Sequence, residues 1–165
     1  MIRLEPHVQQ ELTRHAEEAY PEECCGLVFE RNGEQRAVRI TNVQNELHAR
    51  NPNAFPRTAA TAYAMNYREV EPYLEAAFRG ELRLVAFYHS HPEHDAYFSA
   101  EDRAAAEGWL EDPNYAAAGQ IVLSVRGGRV AAARAFRWDA DQRDYVDEAL
   151  DWNPLPPATT PGTCG

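Results

Sequence analysis

The amino-acid sequence predicts an α+β domain, a mostly antiparallel sheet with helices packed beside it. Three observations point there. Short apolar or alternating runs recur along most of the chain, as half-buried or buried strands require. Two tight-turn signals, Asn32-Gly33 and Gly127-Gly128, join neighbouring runs as hairpins. Helical spacing is confined to a few separate stretches and does not alternate strictly with the strands.

The elements follow in order. Residues 4–19 place Leu4, Val8, Leu12 and Ala16 on one helical face, and Pro21 ends the run. Residues 24–30 form a short apolar strand, with 36–42 as its hairpin partner. Four Asn and two Pro between Asn42 and Pro56 predict a loop. A helix is expected over 60–79, from apolar positions Tyr63, Met65, Val70, Tyr73, Leu74 and Phe78, closed by Gly80. Residues 82–88 alternate as a strand that leads into His89-Ser90-His91-Pro92. Residues 99–110 read as a second amphipathic helix, stopped by Asp112-Pro113-Asn114. Residues 121–125 and 130–138 make a hairpin, and 145–150 add a last strand or turn. The domain is therefore expected to occupy 1–150. The Pro-rich remainder, 151–165, has no apolar periodicity and is expected to be a disordered tail.

Length and charge narrow the function. A chain of 165 residues is long enough for one domain with a full core. Its net charge is −10, which is the wrong electrostatic footprint for a nucleic-acid binder. All 16 basic residues are arginine. Without lysine there is no Schiff-base or P-loop chemistry, and only the N-terminal amine could accept an amine-directed modifier. Abundant alanine beside arginine makes codon bias the economical explanation. No run approaches the ~18 apolar residues of a membrane span, and the N-terminus has no secretory signature. Three cysteines, two of them adjacent, give no disulfide framework. A cytoplasmic protein with neither nucleic-acid nor membrane partners is expected.

Three of six histidines lie between positions 89 and 94. His89 and His91, two apart at the end of a strand, send both imidazoles to one face, as two ligands of one ion must. Asp102, in the first turn of the next helix, could add the carboxylate that completes a common catalytic zinc set. Ser99-Ala-Glu-Asp102 is equally a capping box, which needs no metal at all.

Taken together, His89-Ser-His91-Pro92, six residues, Ser99, two residues and Asp102 resemble the JAMM motif of MPN-plus metallopeptidases. That family also has a glutamate three residues before a glycine, and Glu23-Cys24-Cys25-Gly26 fills this place. The order of elements over roughly residues 1–138 is similar as well. The resemblance implies an MPN/JAMM, cytidine-deaminase-like fold. It implies one Zn²⁺ per chain held by His89, His91 and Asp102. Glu23 would be the general acid–base, Ser99 the oxyanion donor, and Gly26 would permit close packing under the site. It further implies hydrolysis of the amide bond after the C-terminal Gly-Gly of a ubiquitin-like modifier or sulfur-carrier protein, whose tail is the expected partner. Activating or conjugating enzymes are possible associates. A non-catalytic MPN scaffold is the alternative. A DNA-associated RadC-like reading fits poorly, because Ser90 stands between the histidines and the chain is acidic.

Overall fold

The structure is a computed structural model that describes residues 1–154. Its centre is a six-stranded sheet in the order β3-β2-β4-β5-β6-β7, formed by β2 (Cys25–Arg31), β3 (Glu34–Ile40), β4 (Arg83–Pro92), β5 (Gly119–Arg126), β6 (Arg129–Asp139) and β7 (Asp144–Glu148). Every pairing is antiparallel except β4 with β5. A parallel pair needs a crossover connection, and here α4 (Ala100–Glu107) and α5 (Pro113–Ala117) supply it. The α+β expectation holds.

One face of the sheet is covered by α1 (Pro6–Ala19), whose Val8, Leu12 and Ala16 pack with Val28, Tyr88 and Leu123. On the other face Leu27, Phe87 and Val122 meet Val70 of α3 (Tyr67–Phe78), Ala106 of α4 and Tyr115 of α5. With helices on both sides, β4 is buried over nine of its ten residues. Such a strand reads as continuously apolar in sequence. Its polar exceptions are therefore informative: Ser90 on the α1 side, and His89 and His91 on the other.

Hairpin chemistry worked as expected. Asn32 and Gly33 take φ of 54° and 79°, the two positive angles that a tight hairpin turn requires. Gly80 closes α3 at φ 71°.

Other expectations need correction. The polar stretch expected to be a loop contains α2 (Gln44–Arg50), because Asn42 Oδ1 accepts the amide of Gln44 and anchors the first turn. The helix expected from residue 60 begins only at Tyr67. Residues 62–65 are instead drawn into irregular structure by the same Asn42, which receives the Ala64 amide and donates to Ala62 O, while Asn66 caps the helix. The helix expected over 99–110 ends at Glu107. Asp112 then caps α5, an element the sequence reading missed. Two very short strands, β1 (Ile2–Arg3) and β8 (Leu150–Asp151), pair in parallel outside the main sheet. Of the Pro-rich end, Asp151 belongs to β8 and Trp152 packs against the α1-side core. Residues 155–165 of the expected tail, with Cys164, lie outside the described residues. Among the described residues no helix is long and apolar enough to cross a membrane.

Candidate metal centre

Strand alternation delivers the first two ligands. β4 pairs with β2 so that His89 lies opposite Cys25, and both imidazoles project onto the face shared with α3 and α4. His89 is 1% and His91 5% exposed. The third ligand comes from a helix cap. Ser99 Oγ accepts the amide of Asp102 at 3.0 Å, and Asp102 Oδ2 accepts the amide of Ser99 at 2.9 Å. This reciprocal capping box fixes the Asp102 carboxylate, which is 6% exposed, against the histidines. The capping and metal-ligating readings are thus the same structure.

His89 Nε2 and His91 Nε2 each lie 3.2 Å from Asp102 Oδ2 and 3.1 Å from one another. Ligand atoms placed about 2.0–2.1 Å from a tetrahedral zinc sit about 3.3 Å apart, so this triangle has the dimensions of one face of such a site. The donor chemistry agrees. His91 Nδ1 lies 2.9 Å from the carbonyl of Asp95, which can only accept, so the proton is on Nδ1 and the Nε2 lone pair faces the triangle. Tyr63 stacks on His89 at 4.3 Å between centroids and fixes that ring plane. Tyr97 sets its edge against His91. The residues fit a divalent metal.

The titrations follow from this enclosure. Burial lowers the His89 pKa, keeping a neutral, ligating imidazole. Burial also works against the Asp102 carboxylate, but the two imidazoles and the Ser99 amide outweigh it and hold that group well below the usual range. For His91 burial is likewise outweighed, by its hydrogen bonds to Asp102 and the Asp95 carbonyl, and the pKa rises.

Glu23 enters the same cavity from just before β2, its amide bonded to Ala59 O and its carbonyl to the Asn42 side chain. It is 6% exposed, and Oε2 has no hydrogen-bond partner. Desolvation raises its pKa to about 8. Glu22, one residue away, is exposed and accepts from Asn45. The cavity of about 120 Å³ brings together Glu23, His91, Ser99 and Asp102, with His89 behind them in contact with Asp102. All five residues singled out in the sequence therefore converge.

Several details differ from the sequence reading or escaped it. Gly26 does not make room under the metal face. A Cβ there would lie 2.4 Å from the Tyr88 ring and from Val38 O, so its space serves the opposite side of the sheet. Tyr63, the Asp95 carbonyl and Arg57 were not singled out. They reach the site through tertiary contacts that leave no spacing in the sequence. His94 is exposed and lines the cavity. Cys24 and Cys25 are buried outside the ligand group, and desolvation pushes the Cys24 thiol up to about 12.

Comparison with known proteins bears on the same region. The model for prokaryotic homologs of the JAB domain matches residues 5–141. In fold, the chain is similar to the solution structure of protein DSY2949 from Desulfitobacterium hafniense (TM-score 0.65, 21% identity, 94% of each chain covered). It is also similar to a solution structure of a protein from Salinibacter ruber (TM-score 0.52, 25% identity, 98% of this chain and 95% of that one). No curated protein sequence matches significantly.

Proposed function

The chain belongs to the prokaryotic homologs of the JAB domain, and we propose that it is a cytoplasmic zinc-dependent hydrolase of the amide bond after the C-terminal Gly-Gly of a ubiquitin-like modifier or sulfur-carrier protein. The observation that carries this reading is the buried triangle of His89, His91 and Asp102, faced in one cavity by a buried carboxyl with an unpartnered oxygen. A structural histidine pair would not require Glu23 to be buried without a partner, at the cost that burying an unpaired polar group carries.

His89, His91 and Asp102 would hold the zinc ion, which would supply a water acidified to near pH 7 and polarise the substrate carbonyl. Glu23 accepts the proton of the attacking water on its free oxygen and delivers it to the departing amine. Burial holds the Glu23 carboxyl above the usual carboxylate range, the direction that suits a group which must both accept and release a proton. Ser99 Oγ accepts only the Asp102 amide, so its own O–H is free to donate to the carbonyl oxygen as charge develops there. Asp95 O and Tyr63 hold the two histidine rings in their ligating orientations.

The test is hydrolysis of a fusion placed after the Gly-Gly of a ubiquitin-like protein. Zinc-loaded wild type should cleave it. Chelation should abolish cleavage and added zinc restore it. Glu23→Ala should reduce the rate by about 10²–10⁴-fold. Full cleavage by Glu23→Ala would overturn the mechanism. Zinc binding without any hydrolysis would favour the scaffold alternative.

A further inference from the structure

The segment 93–98 joins the strand that carries His89 and His91 to the cap that carries Ser99 and Asp102, so its path bears on both halves of the metal centre. It begins in a conformation that a side chain disfavours: Glu93 has φ 59°, in the left-handed region. Such a residue persists only where its surroundings hold it. The parallel pairing of β4 with β5 places Pro92 beside Val125, and the residues that follow continue the contact. Glu93 N donates to Val125 O at 2.7 Å, and Ser124 Oγ donates to His94 O at 2.6 Å. Glu93 Oε1 accepts the Gly127 amide at 2.7 Å and the Tyr20 hydroxyl at 2.8 Å.

Arg126, the last residue of β5, closes this arrangement. Its Nη1 donates to Glu93 O at 2.7 Å and its Nη2 to Asp95 Oδ1 at 2.6 Å. The guanidinium thus spans a backbone carbonyl and a carboxylate two residues apart, which a planar fork does and a point charge does not. The carbonyl of the residue so anchored, Asp95, accepts from His91 Nδ1 at 2.9 Å and from Tyr97 N at 3.0 Å. Arg126 and Asp95 are 47% and 88% exposed, so as an ion pair they add little to stability. Both lie outside the cavity lining, so Arg126 reaches the metal centre only through this loop.

We infer that Arg126 is a positioning residue for the metal centre: its fork fixes the Asp95 carbonyl against His91 Nδ1–H and thereby presents Nε2 to the metal. A ligating imidazole keeps its orientation and tautomer through the partner of its other nitrogen, and here that partner is a carbonyl on an exposed loop. His89 shows the contrast. Its Nδ1 is buried without a hydrogen-bond partner, and its ring is held by stacking on Tyr63. Of the two histidines, His91 is therefore the one whose orientation is set from another element, the end of β5. The inference needs a divalent metal at the centre and is independent of which amide bond is cleaved.

The experiment measures zinc affinity of the full chain by competition with a chromophoric chelator. Arg126→Met keeps the aliphatic stem and removes the fork. It should weaken zinc binding by about tenfold, the lower end of what losing a ligand's own partner costs. Arg126→Lys should recover part of that loss. Asp95→Ala should weaken binding similarly, and combining it with Arg126→Met should add nothing, since both break one link. Arg79→Met, which breaks another exposed ion pair, with Glu81, should leave the affinity unchanged. In the zinc-loaded proteins, NMR should show His91 Nδ1–H exchanging with water about tenfold faster in Arg126→Met, with His89 as the internal reference. Unchanged zinc affinity in Arg126→Met, or weakened affinity with unchanged His91 exchange, overturns the positioning role. A weakening matched by Arg79→Met also overturns it. Zinc binding without hydrolysis of the Gly-Gly fusion overturns the proposed function alone, and no zinc binding by the wild type overturns both.

Discussion

Ser99 Oγ receives the Asp102 amide while Ser99 N donates to Asp102 Oδ2, so one residue caps α4, orients a ligand carboxylate and keeps a hydroxyl proton for the cavity. These duties separate on substitution. Glycine is a fair N-cap that costs only a few tenths of a kcal/mol relative to serine, but it has no hydroxyl. Ser99→Gly should therefore unfold within a few degrees of wild type, with kcat lower by about 10²–10³ and KM little changed. Thermal unfolding and steady-state kinetics on one preparation check this. A parallel loss of stability and activity would reduce Ser99 to a cap. At this scale the sequence was most informative, because two strand positions and one helix turn fix three ligand atoms through local spacing alone. Glu23 was legible only through its offset from Gly26 in the family pattern. Tyr63, the Asp95 carbonyl and Arg57 act through packing and backbone contacts, and nothing in their own spacing marks them.

Between elements, the register of β2 on β4 decides whether Glu23 faces the histidines, because Cys25 pairs with His89 two residues after the glutamate. Gly26 protects that register. The Tyr88 ring occupies the volume its side chain would fill, and a Cβ would also meet Val38 O of β3, a backbone atom that cannot swing away. Gly26→Ala should destabilise the protein by about 1–3 kcal/mol, the usual cost of overpacking, and weaken zinc binding although no ligand is changed. Denaturant unfolding and zinc titration are the measurements. Unaltered stability would mean that β2 and Tyr88 adjust more freely than their burial implies. The element-level errors have a common physical origin. Asn42 alone makes four side-chain bonds, to Glu23 O, Ala62 O, and the amides of Gln44 and Ala64, starting α2 and drawing 62–65 out of helical structure. A single buried-end amide thus overrides the apolar spacing that extends the expected helix back to residue 60. The hairpins needed no such partner, since Asn32-Gly33 carries its own turn chemistry, and they matched closely.

Over the described residues as a whole, the first and last described segments are tied together through Gln9, which is 4% exposed. Its side chain donates to Leu4 O and Asp151 O and accepts the amide of Asn153, beside the pairing of β1 with β8. Strands of two residues and a closure spanning more than 140 positions have no periodicity to detect, which is why this part of the fold was invisible in the sequence. The charge excess was legible from composition. Its ion pairs lie largely on the surface, as between Arg39 and Glu11 or Glu18, where each contributes little and salt screens it. A partly buried titrating group matters more to acid stability, and His15 is one. It is packed between α1 and β4, with Nδ1 2.7 Å from the Tyr88 hydroxyl, within hydrogen-bond reach. Desolvation, followed by the nearby Arg39 charge and opposed by Glu11 and Glu18, lowers its pKa from 6.5 to about 4. Between those values the unfolded chain binds a proton at this site and the folded chain does not. The contribution of His15 is thus complete above pH 6.5 and declines as pH falls towards 4. His15→Gln keeps a polar partner for Tyr88 and removes the titration. In urea unfolding with chelator present, the wild type should lose stability relative to His15→Gln as pH drops from 6.5 to 4, with no further divergence above 6.5. Glu23 and His89 titrate in both proteins, so they cancel in that difference. Parallel pH profiles for the two would show that His15 is accessible to protons in the folded chain, contrary to its packing against Tyr88.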